Sequence, residues 1–317
     1  FASISPVDSG GENIWLEQNE NVIYRVKPRY NADANKWWIS DDTRYSYKVV
    51  HDPRRLRRPM RMQFGSQVQT TWDKAIDQAG TALKSLVAEK GPASLYILLS
   101  PMMACEEAWL AGQMIRQFDP QAMLILGPVP SAGEDEVFKH YLTGQETFRI
   151  KAEKVPNAAG IRRVIQMLGG PTATWDEFVK SERPDIKKLA GGWIVGGYLS
   201  NWVPAKEVPP QFKRGLKIVQ EILPNTLADG ADVLLPSAAW AEKDGTWENF
   251  AGRLQAFQAA VTPPGEARRE GDVYYALLGR PGLYNAQDVR AQMGEPFASV
   301  ALPASRKQEP KMEFVEL

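Results

Sequence analysis

Three neighbouring runs, SLYILLS (94–100), CEEAWLAGQMIRQF (105–118) and AMLILGP (122–128), decide the fold. The first is a short unbroken apolar run after Gly91-Pro92, which reads as a strand buried on both faces. The second carries apolar residues at helical spacing, and the third is another buried strand. Strand, helix and strand joined by short connections make a βαβ unit, which implies a parallel sheet. Upstream, Trp72, Ile76, Ala79, Leu83 and Leu86 recur at steps of four and three, the apolar stripe of one helix. Downstream, 131–190 is less regular, with helices predicted over 159–168 and 174–181. The α/β rhythm returns at GGWIVGGY (191–198), at FKRGLKIVQEI (212–222), helical or extended, and at ADVLLPS (231–237). Further helices are predicted over 270–279 and 286–293.

Residues 1–58 differ in character, alternating short apolar runs with Gly, Asn and Asp. NIWLEQNENVIYRVKPR reads as a β-hairpin, with Ile14 and Leu16 before a polar turn at Gln18–Asn21 and Val22, Tyr24 and Val26 in period two after it. The prolines of DPRRLRRPM disfavour regular structure and bound this small β-rich module. The expected division is therefore a module over 1–58, a compact α/β domain over 59–295, and an extended, charged tail over 296–317. No internal repeat interrupts that order.

Composition narrows the function. The chain has 317 residues, 44% hydrophobic and 24% charged, as in an ordinary globular protein of about two domains. Its formal net charge is zero, so nothing global points to nucleic acid or an anionic membrane. The run DPRRLRRPMR (52–61) carries five arginines and reads as a solvated face. The lone cysteine, Cys105, excludes an internal disulfide and any all-cysteine zinc or iron–sulfur site within these residues. Two histidines, His51 and His140, are too few for a histidine-rich metal centre. No apolar run approaches 18 residues, so no transmembrane helix is expected. Phe1 is not followed by a basic start and an apolar run, so no signal peptide is expected either, and the non-methionine start suggests that upstream domains are missing.

The motifs that could carry chemistry are sparse. The glycines of GGWIVGGY and ILGPVPSAG do not form the G-x-G-x-x-G that opens a nucleotide-binding helix, and they read as turn and packing residues. Glu106-Glu107 and Asp41-Asp42 are adjacent carboxylates that point in different directions, and they read as solvated faces. Cys105 stands at a predicted helix start, which favours a thiolate, but without a basic neighbour in sequence it reads as a buried structural thiol. The strongest local signal is ADVLLPSAAWAEKDGTWENFAGRLQAF (231–257). A buried strand stops at Pro236, a small-residue segment follows, and Asp244-Gly245 is expected to make a tight turn. That describes a structured loop at the sheet's carboxyl edge, where α/β proteins place their ligands.

This loop resembles the signature of the large iron–sulfur subunit of bacterial NADH:quinone oxidoreductase, complex I, a relative of the molybdopterin oxidoreductases. The family pattern runs A-D-V-V-L-P, then A-E-K-D-G-T-F-x-N-x-E-G-R-x-Q. Glu242, Lys243, Asp244, Gly245, Thr246, Asn249, Gly252, Arg253 and Gln255 match it, and Ala251 replaces the second glutamate. VTPPGEAR (261–268) is similar to the segment that follows in the family, and RVKPRYN (25–31) and WISDDTRYSY (38–47) to its N-terminal iron–sulfur module. Aligning on Pro6, Gly11 and Trp38 puts the four cluster cysteines at Ser5, Asp8, Glu12 and Ser40.

The resemblance implies a degenerate 4Fe-4S module without its thiolates, followed by a compact, parallel-sheet, Rossmann-like α/β domain. A [4Fe–4S] cluster is normally held by four cysteine thiolates, and hydroxyls and carboxylates make a poor soft-metal site. The cluster and the molybdopterin are therefore ancestral and expected to be lost; Asp8 and Glu12 holding a hard cation is the alternative. Residues 60–130 and 190–280 resemble the two halves of one family lobe, joined through the shorter connection around KAEKVPNAAGIRRV (151–164); the family's C-terminal barrel is expected to be missing. The expected role is a non-catalytic, structural or electron-transfer-associated subunit, cytoplasmic and peripheral to the inner membrane through partner subunits of a complex I-type assembly. Were a pterin or nucleotide bound instead, Lys243, Asp244, Thr246, Asn249 and Arg253 would surround it at the carboxyl edge. A repurposed interaction module outside any respiratory complex is the third reading.

Overall fold

A computed structural model describes residues 1–203, 208–213 and 215–303. The remainder of the expected tail, 304–317, and Arg214 within the 212–222 run lie outside the described residues.

The N-terminal module is a three-stranded antiparallel sheet of β1 (Ala2–Ile4), β2 (Asn13–Asn19) and β3 (Val22–Pro28), followed by the short helix α1 (Asp41–Tyr45). The expected hairpin is β2–β3. Glu20 and Asn21 at its tip both have positive φ, 49° and 65°, the two-residue turn that suits twisted strands. Ile14, Leu16, Ile23 and Val26 face a core shared with Trp240, Trp247 and Phe257 of the signature loop, so module and loop fold against one another.

A second hairpin, β4 (Met60–Gln63) and β5 (Ser66–Gln69), joins the module to α2 (Trp72–Lys90). Then come β6 (Leu95–Leu99), α3 (Cys105–Phe118), β7 (Met123–Leu126) and a projecting hairpin of β8 (Glu136–Lys139) and β9 (Glu146–Ile150). They are followed by α4 (Ala158–Leu168), β10 (Thr172–Ala173), α5 (Trp175–Lys180), α6 (Pro184–Lys187), β11 (Gly191–Val195), α7 (Pro210–Lys213), β12 (Leu216–Glu221), α8 (Thr226–Asp229) and β13 (Val233–Pro236). The signature hairpin is β14 (Gly245–Glu248) and β15 (Leu254–Phe257), and α9 (Glu270–Leu277) and α10 (Ala286–Met293) close the order.

The large sheet runs β10-β7-β6-β11-β12-β13-β4-β5. Its first six strands are parallel, as expected, and in the doubly wound order 3-2-1-4-5-6. The antiparallel β4–β5 hairpin caps one edge and makes the sheet mixed. Strand alternation sends Leu95, Ile97, Leu99, Trp193 and Ile218 to a face covered by α2, α3, α4, α9 and α10. Tyr96, Leu98, Ile194 and Val219 face the other way, toward Phe178 of α5, Ile186 of α6, Phe212 of α7 and Leu227 of α8. Gly192 shows why its position takes no side chain: a Cβ there would lie 2.3 Å from the Tyr96 ring. The ambiguous 212–222 run is extended from Leu216. Phe297, just inside the expected tail, is fully buried in the core beneath α10.

Three expectations are corrected. Glu106 and Glu107 are not a solvated face; both are fully buried, because α3 is packed between the sheet, the signature loop, α9 and α10. Within the arginine run, Arg55 is buried and paired with Glu242, while Arg54, Arg57 and Arg58 do lie at the surface. Gly245 does not turn the chain but opens β14; the tight turn is at Phe250-Ala251-Gly252, with Gly252 at φ 78°.

Candidate functional site

The loop from Ser5 to Glu12 is buried along its whole length, closed at its base by Ser5 N–H donating to the Glu12 carbonyl at 2.8 Å. Ser40 lies at the start of α1, where its hydroxyl accepts from Thr43 N–H (3.2 Å), an N-cap. That cap carries Thr43 into the space between the two segments. Thr43 Oγ1 then meets three of the four residues that the resemblance places at cluster-cysteine positions: Ser5 Oγ at 2.7 Å, Ser40 Oγ at 2.9 Å and Glu12 Oε2 at 2.5 Å. When Glu12 is ionised, Thr43 gives it its one proton and accepts from Ser5 and Ser40 on its two lone pairs, so the hub is saturated. Ser40 N–H donates to the other carboxylate oxygen, Glu12 Oε1, at 3.3 Å.

Asp8 sits outside the hub. Its carboxylate accepts from Gly10 N–H (2.8 Å) and from Lys151 N–H of the segment after β9 (3.2 Å). Burial raises its pKa against those bonds. Burial first, then the Asp8 charge, push the Glu12 carboxyl up to about 7, and the Thr43 and Ser40 bonds oppose the rise. Among the described residues no three His, Cys, Asp or Glu side chains are placed to share a metal ion.

The signature loop has a different construction. Lys243 Nζ is buried between Glu107 Oε2 of α3 (2.9 Å) and Glu270 Oε2 of α9 (3.0 Å). The Glu270 carboxyl is held well above its ordinary value by burial and then by the Glu107 charge, against the pull of Lys243. Glu242 makes a two-pronged pair with Arg55, at 2.7 and 3.0 Å. Thr246 donates through N–H and Oγ1 to Glu106, at 2.9 and 2.7 Å, and Arg290 of α10 reaches the same carboxylate at 3.0 Å. Asp244 accepts from Ala259 N–H at 2.9 Å. Asn249 Nδ2 donates to the Gly10 carbonyl (3.0 Å), Phe250 N–H to the Ser9 carbonyl (2.9 Å) and Gln255 Nε2 to the Gly11 carbonyl (3.3 Å). Gly11 has φ 74°, and a Cβ there would strike Gln255 Oε1 at 2.6 Å, so the loop bearing Asp8 and Glu12 is clasped by the β14–β15 hairpin. Arg253 pairs with Asp33 at the surface (2.9 Å). The five residues proposed to ring a ligand thus point to different partners within the protein, and sequence reasoning missed Thr43, Glu106, Glu107 and Glu270. The S-x-x-T spacing of Ser40 and Thr43 was the available signal for the first, since it is the spacing of an N-cap.

The strand order reverses between β6 and β11, where doubly wound sheets bind ligands. Aromatic side chains stand at that crevice, beside a cavity of about 500 Å³ lined by Tyr198, Leu199, Glu221 and Asn225. Tyr198 donates to the Pro128 carbonyl (2.8 Å), its ring stacked on Trp202 at 4.9 Å and packed on Met102 and Val155. Trp202 Nε1, Gly197 N–H, Ile222 N–H and Asn225 Nδ2 all donate to the buried Glu221 beside it. Cys105 is fully buried against Asn157, and burial and the Glu106 charge push its thiol far up, as befits a structural residue.

Residues 1–48 match the family model described as NADH-ubiquinone oxidoreductase NDSU1/NuoG-like, 4Fe-4S domain, and residues 200–280 match that of molybdopterin oxidoreductase. Among curated proteins the chain is similar to the G-type NADH-quinone oxidoreductase subunit of Rickettsia bellii, 35% identical over 93% of this chain and 57% of the relative. The corresponding protein of Rickettsia felis is 23% identical over 93% of this chain and 58% of its own length. The chain therefore spans a little over half the length of these relatives. Among solved structures it is similar to acetylene hydratase from Pelobacter acetylenicus, with a TM-score of 0.52 over 88% of this chain and 69% of that one at 8% identity. The fold, a β-rich module followed by a large mixed sheet flanked by helices, is that of the molybdopterin oxidoreductases.

These matches imply a [4Fe–4S] cluster and a pterin, and the cluster does not fit the residues present. The positions that the resemblance assigns to the cluster cysteines carry hard oxygen donors, three of them bonded to Thr43 and Asp8 to backbone N–H groups, and the one thiol lies in the α/β core. The Tyr198 and Trp202 side chains form one wall of the switch-point crevice.

Proposed function

We propose that this chain is a structural subunit of an NADH:quinone oxidoreductase-type assembly, its iron–sulfur module kept as a cluster-free scaffold and its α/β domain without a catalytic centre. In that role it packs beside electron-carrying partners, peripheral to the membrane on the cytoplasmic side. The observation that carries the reading is the closed Thr43 hub. Ser5, Glu12 and Ser40, at cluster-ligand positions of the related module, join the loop and α1 by hydrogen bonds where thiolates on iron would otherwise join them. The protein relatives are named as subunits of such an enzyme, which supports the partner class. Among the described residues no helix is long and apolar enough to cross a membrane, consistent with attachment through partners.

The test is elemental mass spectrometry with pterin-oxidation fluorescence on the purified chain, alongside its affinity isolation from host membranes. The expected result is no stoichiometric iron, molybdenum or pterin, and co-isolation with NADH-oxidising polypeptides. One cluster's worth of iron per chain would mean that the four positions are misassigned. A stoichiometric pterin would replace the scaffold reading with that of a ligand-binding oxidoreductase domain.

A further inference from the structure

Tyr30, Trp37 and Trp38 of the module and Phe138, Tyr141 and Leu142 of the β8–β9 hairpin are all exposed, Tyr141 at 89% and Trp37 at 65%. None of them serves the packing described above, and Trp38, Phe138 and Tyr141 line one groove. The Tyr30 and Trp37 rings are 4.9 Å apart, Phe138 stacks on Phe148 at 5.9 Å, and Lys36 Nζ bridges module and hairpin by donating to the Glu146 carbonyl at 3.2 Å. Between the two walls lies a groove of about 520 Å³, lined by Trp38, Ile39, Phe138, Tyr141, Phe148 and Ile150.

Single exposed apolar residues need no explanation, but a contiguous patch of this size does. With aromatic side chains of about 150–250 Å² each, the three that line the groove expose roughly 400 Å². That is about half of one partner's share, ~800 Å², of a standard protein interface, the scale of one extended segment. Trp and Tyr are also the residue types that anchor such interfaces.

The hairpin adds backbone to the patch. β9 is held to the module, through Ser9 N–H to the Glu153 carbonyl (3.1 Å) and Lys151 N–H to Asp8. All four residues of β8 are exposed, and among the described residues β9 is its only strand partner. A bare strand edge offers N–H and C=O groups to one more strand.

We propose that this surface docks an extended segment of a different polypeptide, one that pairs with the β8 edge and sets alternate apolar side chains into the groove. The proposal rests on the reading above, that the chain works within a multi-subunit assembly. A lipid surface suits the patch less well, because Glu136, Lys139 and the Lys151–Asp135 pair stud the hairpin with charges of both signs.

The test places a photo-crosslinking phenylalanine analogue at Tyr141, with a control at the equally exposed Phe64 in the β4–β5 turn, and irradiates the assembly isolated from host membranes. In parallel, Tyr141→Asp with Leu142→Asp is isolated the same way; both side chains stand in solvent, so unchanged circular dichroism and thermal midpoint are expected. Support is an adduct from position 141, not 64, with one other polypeptide, whose recovery with the double variant falls at least about tenfold. An adduct with a second copy or with lipid, or no adduct, or full recovery with the double variant, overturns the proposal while leaving the subunit reading intact. A chain found outside any NADH-oxidising assembly, yet giving the same single adduct and the same loss, would overturn the subunit reading and leave the docking surface standing.

Discussion

Replacing Glu12 by Gln should change the pH dependence of stability in a direction the Thr43 hub dictates. The Glu12 carboxyl stands at about 7 in the folded chain against an ordinary 4.5. Below 4.5 it is neutral in both folded and unfolded chains, and its network contributes in full. Between 4.5 and about 7 the unfolded chain releases the proton that the folded chain keeps, so stability falls as pH rises; above 7 the loss is complete. At 1.36 kcal/mol per unit the total is about 3 kcal/mol. The amide of E12Q stands in for the neutral acid, with an NH₂ to donate to Thr43 Oγ1 and an oxygen to accept from Ser40 N–H. The Ser5–Thr43 bond can run in either sense, so the hydroxyl chain accommodates that donor. Urea unfolding at pH 5, 6, 7 and 8, followed by tryptophan fluorescence, measures the difference directly, since other titrating groups cancel between the two proteins. E12Q should equal the wild type near pH 5 and exceed it by about 1–3 kcal/mol at pH 8. Parallel curves, within about 0.5 kcal/mol across the range, would refute the buried-hub argument, as would a variant that loses ground with rising pH.

Removing the hub hydroxyl by Thr43→Val leaves a buried carboxylate and two hydroxyls without their shared partner; a loss of about 2–4 kcal/mol at pH 8, read from the urea midpoint, is expected. Lys243→Met leaves Glu107 and Glu270 facing one another without their cation, and should cost about 3–5 kcal/mol at pH 8. That cost should shrink toward pH 5 as Glu270, its pKa raised by burial, takes up its proton, which thermal unfolding across the same range would reveal. Cys105 should resist an aromatic disulfide reagent in the folded chain and react stoichiometrically in denaturant; fast labelling of the native protein would contradict its burial and its raised thiol pKa.

Where a segment is buried on both faces or striped on one, its sequence alone reveals it: Leu95–Leu99, Met123–Leu126 and Val233–Pro236 are strands, and the Trp72–Leu86 stripe is a helix. The β4–β5 and β8–β9 hairpins escaped notice because their residues are largely exposed or half-buried, so no apolar alternation marks them. Glu106 and Glu107 do point in different directions, as adjacent helical residues must, but on α3 both directions lead inward. Lys243, Thr246 and Asn249 were legible as a motif and illegible as a set of contacts, since their partners Glu107, Glu106 and Gly10 lie far away in sequence. Proximity of that kind is a property of topology, which composition and spacing do not carry.

The two halves of the chain explain one another mechanically. In a cluster-bearing module, iron would tie the loop at 5–12 to the segment at 40. Here the tie is made twice by weaker means, inside by Thr43 and outside by the β14–β15 hairpin, whose Asn249, Phe250 and Gln255 grip the carbonyls of Ser9, Gly10 and Gly11. That hairpin is itself anchored through Thr246 to Glu106, and the Lys243 just before it to Glu107 and Glu270. Each contact is a single hydrogen bond or ion pair, yet together they make the signature loop the joint between module and α/β domain. On the scaffold reading proposed above, what separates this chain from a cluster carrier is the replacement of four soft ligands by oxygen donors bonded to their own neighbours.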